Sequence, residues 1–151
     1  MSSSKFKRTS QKGGIKAVKD RVKKSGTVDV GIIDAGTHDS GDLTVAQIGF
    51  QHEFGTSSIP ERSFIRSTLQ DQKKEIRTRQ KRYMSKIILG DLTTESGLKL
   101  LGQWMAAEIK DKIVKIRTPP NSPRTIAIKG SSNPLIHTEQ MKNSVTYEVN
   151  A

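Results

Sequence analysis

Along the chain, apolar side chains recur at two periods, and the switches between them mark the elements. In VDVGIID, Val28, Val30 and Ile32 alternate onto one face, which is a strand pattern, and the turn-rich DAGTHDSGD closes it. Thr44 and Gln47 then stand three apart as a capping box would, predicting a short helix over about 45–53 that ends at Gly55. Beyond SSIP, Ile65, Leu69, Ile76, Tyr83 and Ile87 fall within about 40° of one line at about 100° per residue. That predicts one long helix with a narrow apolar seam and densely basic remaining faces.

The next pattern, over roughly 95–116, is apolar on two sides. Leu98, Leu101, Met105, Ile109 and Ile116 make one stripe, and Leu100, Trp104, Ala107 and Val114 make another. Such a helix needs covering on both faces, either within its own domain or by another copy of the chain. Pro119 and Pro120 stop it. Residues 117–138 read as a long connection, of the kind that is functional or ordered by a neighbour. A short helical turn is expected at 139–143. In SVTYEVN, Val145, Tyr147 and Val149 share a face, giving a second strand able to pair with the first.

These elements predict an α+β fold: a small antiparallel sheet packed against two long helices, with long loops and a basic N-terminal arm. Residues 1–24 are expected as a flexible basic arm and residues 25–151 as a single α+β domain. The arm is rich in Ser, Gly and Lys and short of apolar side chains that could offset the entropy of ordering. Within it, however, Ile15, Val18 and Val22 recur at helical spacing, so a short helix against a partner stands as an open alternative.

Composition adds a reason to look for partners. Of 151 residues only 32% are hydrophobic and seven are aromatic, which predicts a thin core of Ile, Leu and Val, with some apolar surface completed by neighbouring subunits. The chain has no cysteine, which excludes disulfides, thiolate metal sites and cysteine nucleophiles. No apolar run approaches the ~20 residues that span a bilayer, and MSSSKFKRTSQKGG lacks a signal peptide's apolar stretch. The expectation is a soluble protein with no membrane partner.

The net charge of +11 is segmented: +8 over residues 1–24, −5 over 25–60, +6 over 61–88 and +2 over the remainder. Residues 25–60 hold no Lys or Arg at all. Candidate contacts to DNA or to an acidic partner are Lys5, Lys7, Arg8, Lys12 and Lys16 in the arm, and Lys73, Lys74, Arg77, Arg79, Lys81 and Arg82 on the basic helix. The bland alternative is a solvated face and tail. Few aromatic residues accompany these cations, which argues against a dedicated single-strand binder.

Catalytic machinery is not visible. His38, His52 and His137 lack metal-ligand spacing and read as surface or capping histidines. Asp34, Asp39 and Asp42 share a loop but depart from a calcium-loop pattern, so they read as solvated acids. Gly13 and Gly14 do not begin a phosphate loop, and no serine elbow occurs. No cofactor and no metal are expected.

Two separated blocks carry a likeness. TVAQIGFQHEFGT runs into IPERSFIRSTL, and KGSSNPLIHTEQMKNSVTYEV lies near the C-terminus. Together they resemble the neck and tail-completion proteins of tailed bacteriophages and prophages, a family of tail-component and virion morphogenesis proteins. The first block matches at Glu53, Phe54, Gly55, Pro60, Arg62 and Phe64. The second matches at Lys129, Gly130, Ser131, Pro134, Leu135, Ile136, Thr138, Asn143, Ser144, Thr146 and Tyr147. The likeness spans about residues 28–149. Ser63 stands where the family usually has Pro, His137 where it has Asp, and Glu139 where it has Gly.

The resemblance implies a structural, non-enzymatic virion protein at the head–tail joint, acting as neck, tail terminator or tail-completion component. It implies a ring homo-oligomer that joins tail to capsid and lets double-stranded DNA pass. Other neck or connector proteins and the tail-tube protein would be its further partners, with the host cytoplasm as its place of assembly. Gly55, Pro60, Arg62, Gly130, Pro134 and Thr138 would be its turn residues. For the subunit interface, the apolar candidates are Leu100, Trp104, Val114, Phe54 and Phe64. Head-to-tail closure by acidic 25–60 meeting basic 61–88 of the next subunit is a further expectation. The competing reading is a basic, non-enzymatic nucleic-acid-binding module.

Overall fold

The computed structural model of the chain describes residues 14–33, 36–37, 43–135 and 139–151. In chain order these form α1 (Gly14–Lys23), β1 (Thr27–Ile32), α2 (Val45–Phe54), α3 (Ile65–Asp71), α4 (Lys73–Leu89), α5 (Thr94–Lys115), α6 (Pro123–Lys129), α7 (Gln140–Asn143) and β2 (Val145–Asn150). The fold is α+β, as the two periods predict. β1 and β2 pair antiparallel with Thr27 opposite Asn150 and Ile32 opposite Val145, so the ends of the sequence meet in one sheet.

The 22-residue α5 is the hub, packing against both strands on one side and against α4 on another. Its inward stripe is Leu101, Met105, Ala106, Ile109 and Ile113, all buried. Two glycines set the approach of its neighbours. A Cβ on Gly102 would lie 2.6 Å from Tyr147 Cδ2 and 2.7 Å from Val28 Cγ2, so the sheet can cross the helix only where the side chain is missing. A glycine inside a helix costs about 1 kcal/mol relative to alanine, which this close packing offsets. Gly97 faces Ile87 and Tyr83 of α4.

The long helix predicted from Ile65 to Ile87 is interrupted at Gln72, which holds φ −90° and ψ 3°. The cause is tertiary. The Gln72 side-chain amide donates to Glu108 at 2.8 Å and Asp71 pairs with Lys112 at 2.8 Å, so α5 grips the junction. Thr68 also returns its hydroxyl to the Phe64 carbonyl at 2.6 Å, a back-bond of the kind that bends helices. Leu69, expected on the seam, stands 46% exposed.

Two further segments differ from expectation. Within the arm expected as flexible, residues Gly14–Lys23 form α1, which lies on α4 and buries none of its residues. Its ordered half is held through Arg21, whose Nη1 donates to the Ile88 carbonyl at 3.0 Å; the first 13 residues lie outside the described ones. The connection 117–138 contains α6, capped by Ser122, opened by Pro123 and closed by Gly130 at φ 66°. No helix among the described residues is long and apolar enough to cross a membrane.

Candidate functional site

The fragment EFGTSSIPERSF solves a local problem. α2 is opened by the Thr44–Gln47 capping box, with the Thr44 amide donating to Gln47 Oε1 at 2.8 Å and the Gln47 amide to Thr44 Oγ1 at 3.2 Å. It ends at Gly55 with φ 73°, where a Cβ would crowd the Glu61 amide nitrogen at 3.0 Å. Thr56 Oγ1 then accepts from the Ser58 and Ile59 amides, and the Arg62 amide donates back to the His52 carbonyl at 2.7 Å. The chain therefore returns alongside the helix it has just left.

α3 begins with Phe64 as its cap residue, and Phe64 has no side chain able to accept. Glu53 supplies the missing acceptor from α2. Its carboxylate accepts from the amides of Phe64, Ile65 and Arg66 at 2.7, 2.8 and 2.8 Å and from Ser63 Oγ at 2.8 Å. The group is 4% exposed. Burial alone would raise its pKa, but the amides and the Ser63 hydroxyl outweigh that and hold it below the usual carboxylate value. Arg66 completes the arrangement, with Nε 3.1 Å from Glu53 Oε1 and its guanidinium 4.4 Å over the Phe54 ring.

Beside this acid sits a group of cations. Arg62 is 5% exposed and donates from Nε to the Pro119 carbonyl at 2.7 Å and from Nη2 to the Pro120 carbonyl at 3.1 Å and Asn121 Oδ1 at 3.4 Å. Its Nη1 lies 3.4 Å from His52 Nδ1. Lys129, at the end of α6, donates to the Pro134 carbonyl at 3.2 Å. Burial, then Arg62, then Lys129 push the His52 pKa down to about 4, so the imidazole is neutral at neutral pH. Burial lowers the Arg62 pKa, and burial followed by the Arg62 charge lowers that of Lys129. His52, expected on the surface or as a cap, is a half-buried member of this corner.

The two blocks that carry the resemblance thus converge. Gly55, Arg62 and Phe64 from the first meet Lys129 and Pro134 from the second through the connection 119–121, while Pro60 stands exposed at the tip of the turn. Thr138, Ile136 and His137 lie outside the described residues. At position 139, where the family usually has Gly, the backbone holds φ 60° and ψ −1°. Glu139 is the one non-glycine residue with positive φ among the described residues. At position 63, Ser replaces Pro and donates to Glu53.

The apolar interface candidates separate. Phe64 is fully buried in the core, with its ring against Gly49, because the Glu53 cap draws its backbone inward; it cannot face another subunit. Trp104 is half-buried, covered by the Arg79 guanidinium at 4.3 Å from its ring. Leu100, Val114 and Phe54 remain exposed at 44%, 37% and 49%. Phe50, which the sequence reading passed over, is 64% exposed and packs on Phe54 at 4.7 Å between ring centroids. Its i, i+4 spacing to Phe54 is the signal that could have found it.

Of the cationic candidates, Lys73, Lys74, Arg77, Lys81 and Arg82 are exposed on α4, and Lys16 is exposed on α1. Arg79 turns instead toward α5 and pairs with Glu75 at 2.9 Å. Lys5, Lys7, Arg8 and Lys12 lie outside the described residues, as do His38, Asp34, Asp39 and Asp42. No group of three or more His, Cys, Asp or Glu that could hold a metal ion occurs among the described residues. The chain matches no protein-family model, no curated protein and no solved structure.

Proposed function

We propose that the chain is a structural, non-enzymatic virion protein of the tailed-phage head–tail joint, a neck, tail-terminator or tail-completion component. In this reading identical copies form a ring that joins tail to capsid and lets DNA pass. The observation that carries it is the backbone at Glu139. The left-handed conformation there is the one a glycine adopts without strain, and glycine is what the resembled family has at that position. A likeness confined to composition would have no reason to place a substituted glycine on the one strained backbone site. The meeting of the two blocks around Arg62 and Lys129 supports it from a second direction.

The exposed Phe50–Phe54 pair and the exposed outer stripe of α5 fit a chain whose surface is finished by neighbours. Electron microscopy of particles made without this chain tests the reading. Full heads beside unattached or overlong tails are the expected result, and normal, infectious particles would overturn it.

The unpaired cations of α4 favour a second reading, a nucleic-acid-binding module lying on phosphates. Size exclusion with light scattering separates the two. A binding module stays monomeric or dimeric and binds duplex DNA with affinity that falls steeply with salt, whereas a ring component self-associates or attaches to purified tails.

A further inference from the structure

An open groove of about 870 Å³ lies between α1, α4 and the first turns of α5, and nothing in the described chain fills it. Its apolar wall is made by Val22, Tyr83, Met84, Ile87, Leu98 and Leu101, of which Val22 and Met84 are about half exposed. Lys24 and Lys81 stand on its lining, and no carboxylate does. The Phe50–Phe54 pair projects elsewhere, from α2. That helix belongs to the core built on Met105, Ala106, Ile109 and Ile113, the opposite end of α5. From Gly97 in the groove to Ile109 in that core is 12 residues of helix, about 18 Å.

We infer that the groove receives the Phe50–Phe54 pair of a second copy of this chain. The inference rests on the ring reading and deepens it by naming the two surfaces that meet. Each copy carries one projecting apolar pair and one apolar recess at separated places. That is the condition for a head-to-tail contact, which closes a ring when the rotation allows, rather than for a two-fold dimer. Charge favours the same pairing. α2 holds no Lys or Arg and lies within residues 25–60, which carry −5, while α4, the groove's central wall, belongs to the +6 segment. Two aromatic rings entering a half-open apolar recess give the buried aromatic anchor on which stable interfaces depend.

Phe50→Glu and Met84→Glu test this, since both positions are exposed and tolerate a charge without disturbing the core. At a concentration where the wild-type chain assembles, light scattering should find each variant alone monomeric. An equimolar mixture should give heterodimers, because the Met84→Glu chain keeps its rings and the Phe50→Glu chain keeps its groove. Because the chain has no cysteine, Phe54→Cys combined with Met84→Cys should also give a disulfide-linked ladder on oxidation. Assembly of either glutamate variant at the wild-type concentration overturns the pairing while leaving the ring standing. A mixture that stays monomeric, or an assembling cysteine variant without a ladder, does the same. A wild-type chain that never assembles, alone or on purified tails, overturns the ring and the pairing together.

Discussion

The corner around Glu53 and Arg62 and the helix α1 are both built with charged residues, and they are held in opposite ways. In the corner, two nearly buried charges have each of their polar atoms directed at a fixed partner, and three separate chain segments converge on them. α1 buries no residue and lies on α4 with Ile15 and Val22 at 76% and 51% exposure. Burial decides the difference. A charge removed from water must find hydrogen bonds or cost several kcal/mol, so the corner admits one geometry. A helix left in water has no such constraint and can move or exchange partners at little cost.

The largest expected effect that would sharpen this contrast is pH dependence. His52 titrates near 4 in the folded chain against 6.5 unfolded, so the unfolded state takes up the proton first as pH falls. Its contribution is fully present above 6.5 and is lost between 6.5 and 4, to a total of about 3 kcal/mol. Glu53 acts in a lower window. Its depressed pKa keeps its contribution intact above the ordinary 4.5, and that contribution disappears as pH falls further through the folded value. Urea unfolding from pH 8 to 4 should show a steep slope in the upper window, and His52→Gln should flatten it. An unchanged slope in that variant would break the account.

Next in size is Glu53→Gln. The amide presents donors where the three α3 amides already donate, so a loss of about 2 kcal/mol is expected, read as a lower denaturation midpoint at unchanged m-value. Glu139→Gly should act in the other direction, raising stability by about 1 kcal/mol through relief of the left-handed backbone, less a small loss from the surface pair with Lys142. The smallest global effect belongs to Arg21→Ala. Its expected change in overall stability is below about 0.5 kcal/mol, yet amide exchange across Gly14–Lys23 should lose its protection. A global loss as large as that of Glu53→Gln would show that α1 belongs to the cooperative core after all.

Elements whose cause is local were legible in the sequence. The Thr44–Gln47 box, the alternation in both strands and the two-sided stripe of α5 each depend on neighbours a few residues away, and the structure has them at the expected places. α6 was equally local, with Ser122, Pro123 and Gly130 in their preferred positions, but lay hidden inside what reads as a loop. What could not be read was decided at a distance. The break at Gln72 answers to Glu108 on another helix, and the α3 cap comes from Glu53, 11 residues before Phe64. Phe64 looked like a surface anchor because its turn is polar, although that turn exists to drive it inward. At the candidate site the sequence marked Arg62 and Lys129 separately; only the fold brings them together with His52.

The pairing of Thr27 with Asn150 also governs the order in which the molecule can be made. Until β2 has been synthesised, β1 has no partner and the face of α5 at Gly102 has no Tyr147 to cover it, so a nascent chain can assemble its helical corner but not its sheet. A contact between the two extremes of the sequence is slow to close. Premature termination before Val145 would therefore release a polypeptide with an apolar flank open along its longest helix, a substrate for chaperones and proteases rather than a shortened but working subunit.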